Sequence, residues 1–416
     1  MKNINILGWL VIVYAFIVVS GFNANVNMIL SALTVCLTGV ILFLTKFNFQ
    51  NEVLKHKPVR FMMLFFVMVV MSLYITNHSS WKYVLNSYSL FFPVVLFAYY
   101  KERPKDVRAV FKILLLMWLV IGVRAIWMYA SGAYSAREMA RHMVSENIMI
   151  GGGYGFGIAS ALFFVYLLEM ALWKKIPFNF LTMVFLVVLF LVVLETKSTI
   201  TILAMLAGFL CAVILKWLKI TSFTKMNVSQ AIWCIILLLL VGIFFVFRQD
   251  VGEMLIKSTQ GNDDIVARRI LEIGKMLAYG TDSAVYNNTD MASRFSLLKD
   301  SIKTFLKYPL FGAISMHGTN FYALKSIGVG GHGEFLDALG TYGILGALPY
   351  IGMFISSFHY ERSIQREPIS FGYIITFAIM FFFNPFLFSQ SNLVLFLMIP
   401  MTTLLFNSQE VKKKLS

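Results

Sequence analysis

Runs of about 17–23 predominantly apolar residues recur along the whole chain, separated for most of its length by short polar connectors. A helix rising about 1.5 Å per residue needs a run of that length to cross roughly 30 Å of hydrocarbon. The pattern predicts about twelve transmembrane helices, near 6–22, 26–45, 61–77, 83–100, 110–131, 148–172, 179–195, 199–216, 229–247, 338–358, 369–388 and 390–407. The first run leads into the second without a small-residue cleavage site, so no cleaved signal peptide is expected. The long polar exception is 248–337. Within it Ile265, Val266, Ile270, Ile273 and Leu277 share one helical face of Ile265–Tyr279. Phe295, Leu298, Ile302 and Phe305 repeat that spacing across Met291–Tyr308, and Pro309 ends it. These two amphipathic helices either lie at the membrane surface or pack on the bundle.

The expected fold is therefore all-α and polytopic: nine spans over 1–247, a helical loop over 248–337, then three spans and a basic tail over 338–416. Composition agrees, with 59% hydrophobic and only 13% charged residues. The net charge of +15 raises the question of nucleic acid, and its distribution answers it. About 20 of the 35 Lys and Arg residues fall in alternate connectors and at the two termini, where acids are few. The loop 248–337 is close to neutral, with about ten bases and ten acids. By the positive-inside rule both termini are cytoplasmic and the long loop extracytoplasmic, and no nucleic-acid partner is expected. Cys36, Cys211 and Cys234 all fall in predicted spans and read as small packing residues, with no disulfide framework or metal site indicated.

Candidate chemistry gathers on the extracytoplasmic side. The stretch Gly331–Gly346, GHGEFLDALGTYGILG, stands where the spans resume after the long loop. It sets His332, Glu334 and Asp337 at the mouth of an apolar helix, a costly place for ionisable groups unless a site uses them. The glycine-rich segment 151–157 has no preceding strand and no P-loop Lys-Ser/Thr, so close helix packing accounts for it better than a phosphate cradle.

Four segments taken together carry a resemblance: Ser293-Arg294-Phe295, Pro309-Leu310-Phe311-Gly312, His332-Gly333-Glu334-Phe335-Leu336-Asp337, and Tyr342-Gly343-Ile344-Leu345-Gly346, with His332 11 positions before Gly343. In order and spacing this resembles the O-antigen ligase and polysaccharide polymerase family. The resemblance implies a C-type glycosyltransferase that moves a glycan from a polyprenyl-diphosphate carrier to a sugar hydroxyl on the outer side of the membrane, with no cofactor. It also implies a chain-length regulator protein as a partner, beside the lipid-linked oligosaccharide and membrane lipids. Chemically, the leaving diphosphate needs fixed cations as its charge builds, and the acceptor hydroxyl needs a base within hydrogen-bond reach. No D-x-D motif stands in the outer loops, in keeping with metal-free chemistry. By the resemblance His332 activates the hydroxyl and Arg294 binds diphosphate; Glu334 and Asp337, one turn apart, orient the imidazole or act as base.

The family usually carries another arginine in the turn between spans 7 and 8. Here the turn reads Glu195-Thr196-Lys197-Ser198-Thr199, with Thr199 in that place. Lys197 supplies a cation without the arginine fork. Arg124, Arg137 and Arg141 are further candidates, Arg268 and Arg269 are cations of the loop helix, and Tyr322 is a candidate glycan contact. The expected reaction is polymerisation of lipid-linked repeat units. The alternatives are a ligase transferring glycan to lipid A core or to protein and, in a different class, a lipid-linked oligosaccharide flippase. A transporter should show matched pairs of broken helices; Pro93, Pro349, Pro385 and Pro400 make no such pair.

Overall fold

Nearly every long apolar run is a helix. The computed structural model describes residues 6–20, 26–46, 48–75, 81–101, 103–131, 154–196, 198–218, 247–259, 265–280, 290–317, 324, 329, 333–365, 371–384 and 388–406. Among these residues there is no strand. Among the described residues seven helices are long and apolar enough to cross a membrane, and four shorter apolar ones accompany them: Ile6–Ser20, Ile29–Leu44, Phe180–Glu195 and Phe371–Phe383. The chain is an all-α membrane protein. The predicted span at 229–247 lies almost wholly outside the described residues.

Burial sorts the helices. Tyr154–Leu172 and the stretch 389–406 are buried on nearly all sides and form the centre. Helix Lys57–Ile75 runs antiparallel to the later part of Glu334–Gln365: His56 lies against Tyr360, while Phe65 meets Tyr350. Trp118 is buried, stacked on Phe156 and hydrogen-bonded to Ser160, whereas Trp9 and Trp127 face outward.

The helix that carries the motif starts earlier than expected and is broken. Glu334 opens it, so Glu334 and Asp337 belong to its first turn. At Gly343 the backbone turns to φ 62°, ψ −174°, a conformation essentially open only to glycine. The Pro309–Gly312 turn fits against this break. Ile344 N–H donates to the Pro309 carbonyl (2.8 Å), Leu345 N–H to Leu310 (3.1 Å), and Ala313 N–H to Gly340 (2.9 Å). Donors that the break takes from the helix ladder thus find acceptors outside it. Gly312, itself at φ 72°, stands back to back with Gly343, and a Cβ on either would strike the other's backbone.

The loop helices differ from their predicted faces. In Asp290–Lys307 the buried positions are Ser301 and Thr304, while Ile302 is 43% and Leu306 70% exposed. Ser301 allows close approach to the motif helix at Gly340, Leu298 and Phe305 of the predicted face are half-buried with Leu298 against Gly333, and Ile302 points outward. In Ile265–Tyr279 the buried positions are Ala267, Gly274 and Ala278, packed on a helix the hydrophobic pattern does not signal, Arg248–Ser258, through Gly252. Close backbone contact selects small side chains there over large ones.

Two predictions follow from these contacts. Gly280 is also left-handed, at φ 78°, with open space around it. Gly280→Ala should therefore cost only about 1 kcal/mol. Gly312→Ala and Gly343→Ala, which also meet backbone, should lower the melting temperature in detergent clearly further. At the other end of the bundle His56 is 5% exposed between Phe97 and Tyr360. Burial, reinforced by the Lys101 charge, lowers its pKa from 6.5 to about 3. The unfolded chain takes up this proton below pH 6.5 and the folded one does not, so stability falls as pH drops from 6.5 towards 3. The slope is at most about 1.4 kcal/mol per unit. Melting curves of His56→Phe should lose this share of the acid decline.

Candidate functional site

The break at Gly343 decides which side chains meet. Glu334 is buried, and its Oε1 accepts a hydrogen bond from the Tyr350 hydroxyl at 2.8 Å, 16 residues later. In a straight helix those residues would stand about 24 Å apart, beyond the combined reach of the two side chains. Folding the helix back at Gly343 brings Tyr350 to the mouth. Tyr342, just before the break, shares a 2.6 Å hydrogen bond with the Tyr83 hydroxyl. Two tyrosines thus stand behind the first turn.

Neighbouring elements hold that turn from both sides. Ser301 Oγ donates to Asp337 Oδ1 at 2.7 Å, tying helix Asp290–Lys307 to the motif helix. Arg294 lies in the same helix, two turns before Ser301. On the other side Glu334 N–H donates to the Asn384 carbonyl at 3.3 Å. The Asn384 amide reaches Thr201 Oγ1 at 3.5 Å, and Ser198 Oγ lies 2.8 Å from the same oxygen. Ser198 is the N-cap of Thr199–Trp217, accepting from Thr201 N–H. Polar contacts therefore run from the mouth of the motif helix to the turn that precedes Thr199.

The glycine-rich segment makes room for that turn. A Cβ on Gly157 would strike Thr196, and one on Gly155 would come within 2.8 Å of Phe388 and Gln390. At Gly155 and Gly157 the ends of three helices close on one another through missing side chains, as the packing reading expects; 151–153 lie outside the described residues.

The structure brings Glu334, Asp337 and the helix of Arg294 together. His332, Lys197, Arg137, Arg141 and Tyr322 lie outside the described residues, as do the side chains of Arg294 and Arg269. The residues flanking two of them, Gly333 with Glu334 and Thr196 with Ser198, belong to the linked region. Arg268 is exposed on Ile265–Tyr279, the helix packed on Arg248–Ser258, and Arg124 is exposed on Pro104–Ala130. His317 pairs with the Tyr308 hydroxyl at 3.5 Å. Sequence reasoning missed Tyr350, Tyr83, Ser301 and Asn384. Only Asn384 leaves a signal, as a polar residue closing the run Phe381-Phe382-Phe383 before Pro385.

The arrangement offers a buried carboxylate, a second carboxylate on a serine, and phenols behind them, at the boundary of an apolar helix. Such a set can accept protons and orient a hydroxyl. No protein-family model matches the chain, and no curated protein matches it.

Tyr350→Phe removes one donor from a buried carboxylate. We expect a loss of about 1–3 kcal/mol, read as a lower melting temperature, with Ser301→Ala costing about 1 kcal/mol at the half-buried Asp337 of the same turn.

Proposed function

We propose that this chain is a bacterial surface-polysaccharide polymerase of the O-antigen or capsule type. It works with about twelve spans in the inner membrane, both termini cytoplasmic and the site extracytoplasmic. It transfers a growing glycan from a polyprenyl-diphosphate carrier to a sugar hydroxyl of another lipid-linked repeat unit. The bond between the anomeric carbon and the diphosphate oxygen breaks, and the acceptor oxygen bonds to that carbon. The acceptor proton passes to His332, while Arg294 and Lys197 stabilise the leaving diphosphate. Glu334 and Asp337 fix the segment that carries His332. Arg137, Arg141, Arg268 and Arg269 extend the cationic surface for the lipid diphosphate, and Tyr322 contacts the glycan.

One observation carries the reading. The Pro309–Gly312 turn and the Gly343 break, two motifs of the resemblance far apart in sequence, form a single backbone clasp with Glu334 and Asp337 at its mouth. A structural requirement for both glycines would explain why such motifs occur together.

The transport alternative would use carboxylates inside the bundle, and two are buried there. Glu169 accepts the Gly372 and Tyr373 N–H groups at 2.7 and 3.1 Å, capping Phe371–Phe383, while Glu361 accepts the Tyr373 hydroxyl with one oxygen and its Oε1 is buried without a partner among the described residues. The role of Glu169 as a helix cap favours the enzyme.

The test uses purified full-length protein in nanodiscs with one defined polyprenyl-diphosphate-linked repeat unit. We expect a ladder of longer lipid-linked glycans, reduced by about 10²–10⁴-fold in His332→Ala and strongly reduced in Arg294→Ala. Transfer only after a core lipid or a protein is added would make it a ligase. No transfer to any acceptor, with lipid-linked glycan crossing a liposome bilayer, would overturn the enzyme reading.

A further inference from the structure

A second binding site lies at the opposite end of the bundle and does not depend on the proposed reaction. The short helix Phe49–Glu52 and the turn after it fold over the start of Lys57–Ile75, leaving a cavity of about 470 Å³ lined by Gln50, Asn51, Leu54, Lys55, Arg60 and Met63. The turn is firmly seated. Val53 is fully buried, His56 is wedged between Phe97 and Tyr360, and Val53 and His56 N–H groups bond back to Phe49 and Val53 carbonyls. Arg60 is oriented by a 2.7 Å hydrogen bond from Nε to the Leu54 carbonyl, which leaves its terminal N–H groups for the cavity. Among the described residues neither Lys55 nor Arg60 has a carboxylate partner, whereas nearby Glu52 is taken by Arg103.

What distinguishes this cavity from a general basic surface is what lies below it. Met63, on its wall, begins a row with Val67 and Met71, four residues apart on the outward face and each about half exposed. The row runs down the span from the cavity into the apolar zone. Two cations and two amides at headgroup depth, above an apolar track, match an amphipathic anion and not a free one. We propose that the cavity binds the phosphate headgroup of an anionic phospholipid, with an acyl chain lying along Met63, Val67 and Met71.

The experiment is native mass spectrometry of the full-length protein with phosphatidylglycerol, phosphatidylcholine of the same acyl chains, or inorganic phosphate. We expect one phosphatidylglycerol retained in preference to phosphatidylcholine. Lys55→Gln/Arg60→Gln should weaken it about thirtyfold, from roughly fivefold per basic residue. Lys55→Glu, which leaves the Arg60–Leu54 bond intact, should abolish the preference. Arg108→Gln/Lys112→Gln removes the same charge from exposed positions of Pro104–Ala130 at that end and should leave retention unchanged. Equal retention of both lipids, unchanged binding in both pocket variants, or an equal loss in the Arg108/Lys112 variant would overturn the proposal. So would inorganic phosphate displacing the lipid at similar concentration, which would make the site one for free phosphate.

Discussion

The backbone contact between Gly312 and Gly343 is the constraint on which the candidate site depends. Two left-handed glycines placed back to back let a turn and a broken helix exchange hydrogen bonds at a distance no side chain would permit. The gain is positional. A continuous helix would carry Tyr350 well away from Glu334, and a carboxylate in that apolar mouth would need another donor. Because the helix reverses its course at Gly343, its two halves face each other and their polar groups pair. The cost of a glycine-only conformation is offset by the backbone hydrogen bonds that give the donors freed by the break new acceptors.

From that clasp the other contacts follow in two directions. Ser301 meets Asp337 because small residues, Ser301 and Gly340, let the loop helix lie close to the motif helix. Asn384 meets Glu334 because the span Phe371–Phe383 ends beside the mouth, and its amide passes the contact on to Thr201 and Ser198. Apart from Ser301, which lies within the loop helix, the side-chain links are short polar residues at the ends of apolar helices. In the proposed function the chain of contacts gives the two cation-bearing segments, the turn of Lys197 and the helix of Arg294, fixed positions about one catalytic mouth.

How much of this was legible in the sequence depends on what kind of interaction set each feature. Apolar run length gave the helices directly, since the membrane demands internal backbone pairing over a fixed thickness. The broken helix was not legible that way: Gly343 and Gly346 in an apolar run read as a packing surface, and only the partner turn shows that Gly343 alone leaves helical geometry. The loop helices misled for a related reason. Their apolar periodicity was correct, but burial followed small residues, Ser301 and Thr304 in one and Gly274 and Ala278 in the other, leaving Ile302 and Leu306 outward. Close backbone approach, which only small side chains allow, decides which face is buried here. Tyr350 and Tyr83 left no trace, because their roles arise only from a reversal that hydropathy does not encode.

The two ends of the bundle are built by different physics, and the sites assigned to them differ accordingly. At the Glu334 end, directional hydrogen bonds among short side chains hold carboxylates in register, which suits a reaction that must place one hydroxyl. At the His56 end the seating is aromatic, with His56 edge-on to Tyr360 and Phe97 edge-on to Tyr360 as well, and Lys55 and Arg60 line the cavity beside it. Edge-to-face rings fix a turn without using up donors. Lys55 and the outer nitrogens of Arg60 are therefore left to an external anion, while the donors at the other end are spent on one another. A rigid aromatic base beneath uncommitted cations is suited to holding a lipid headgroup; a closed polar network around carboxylates is suited to chemistry.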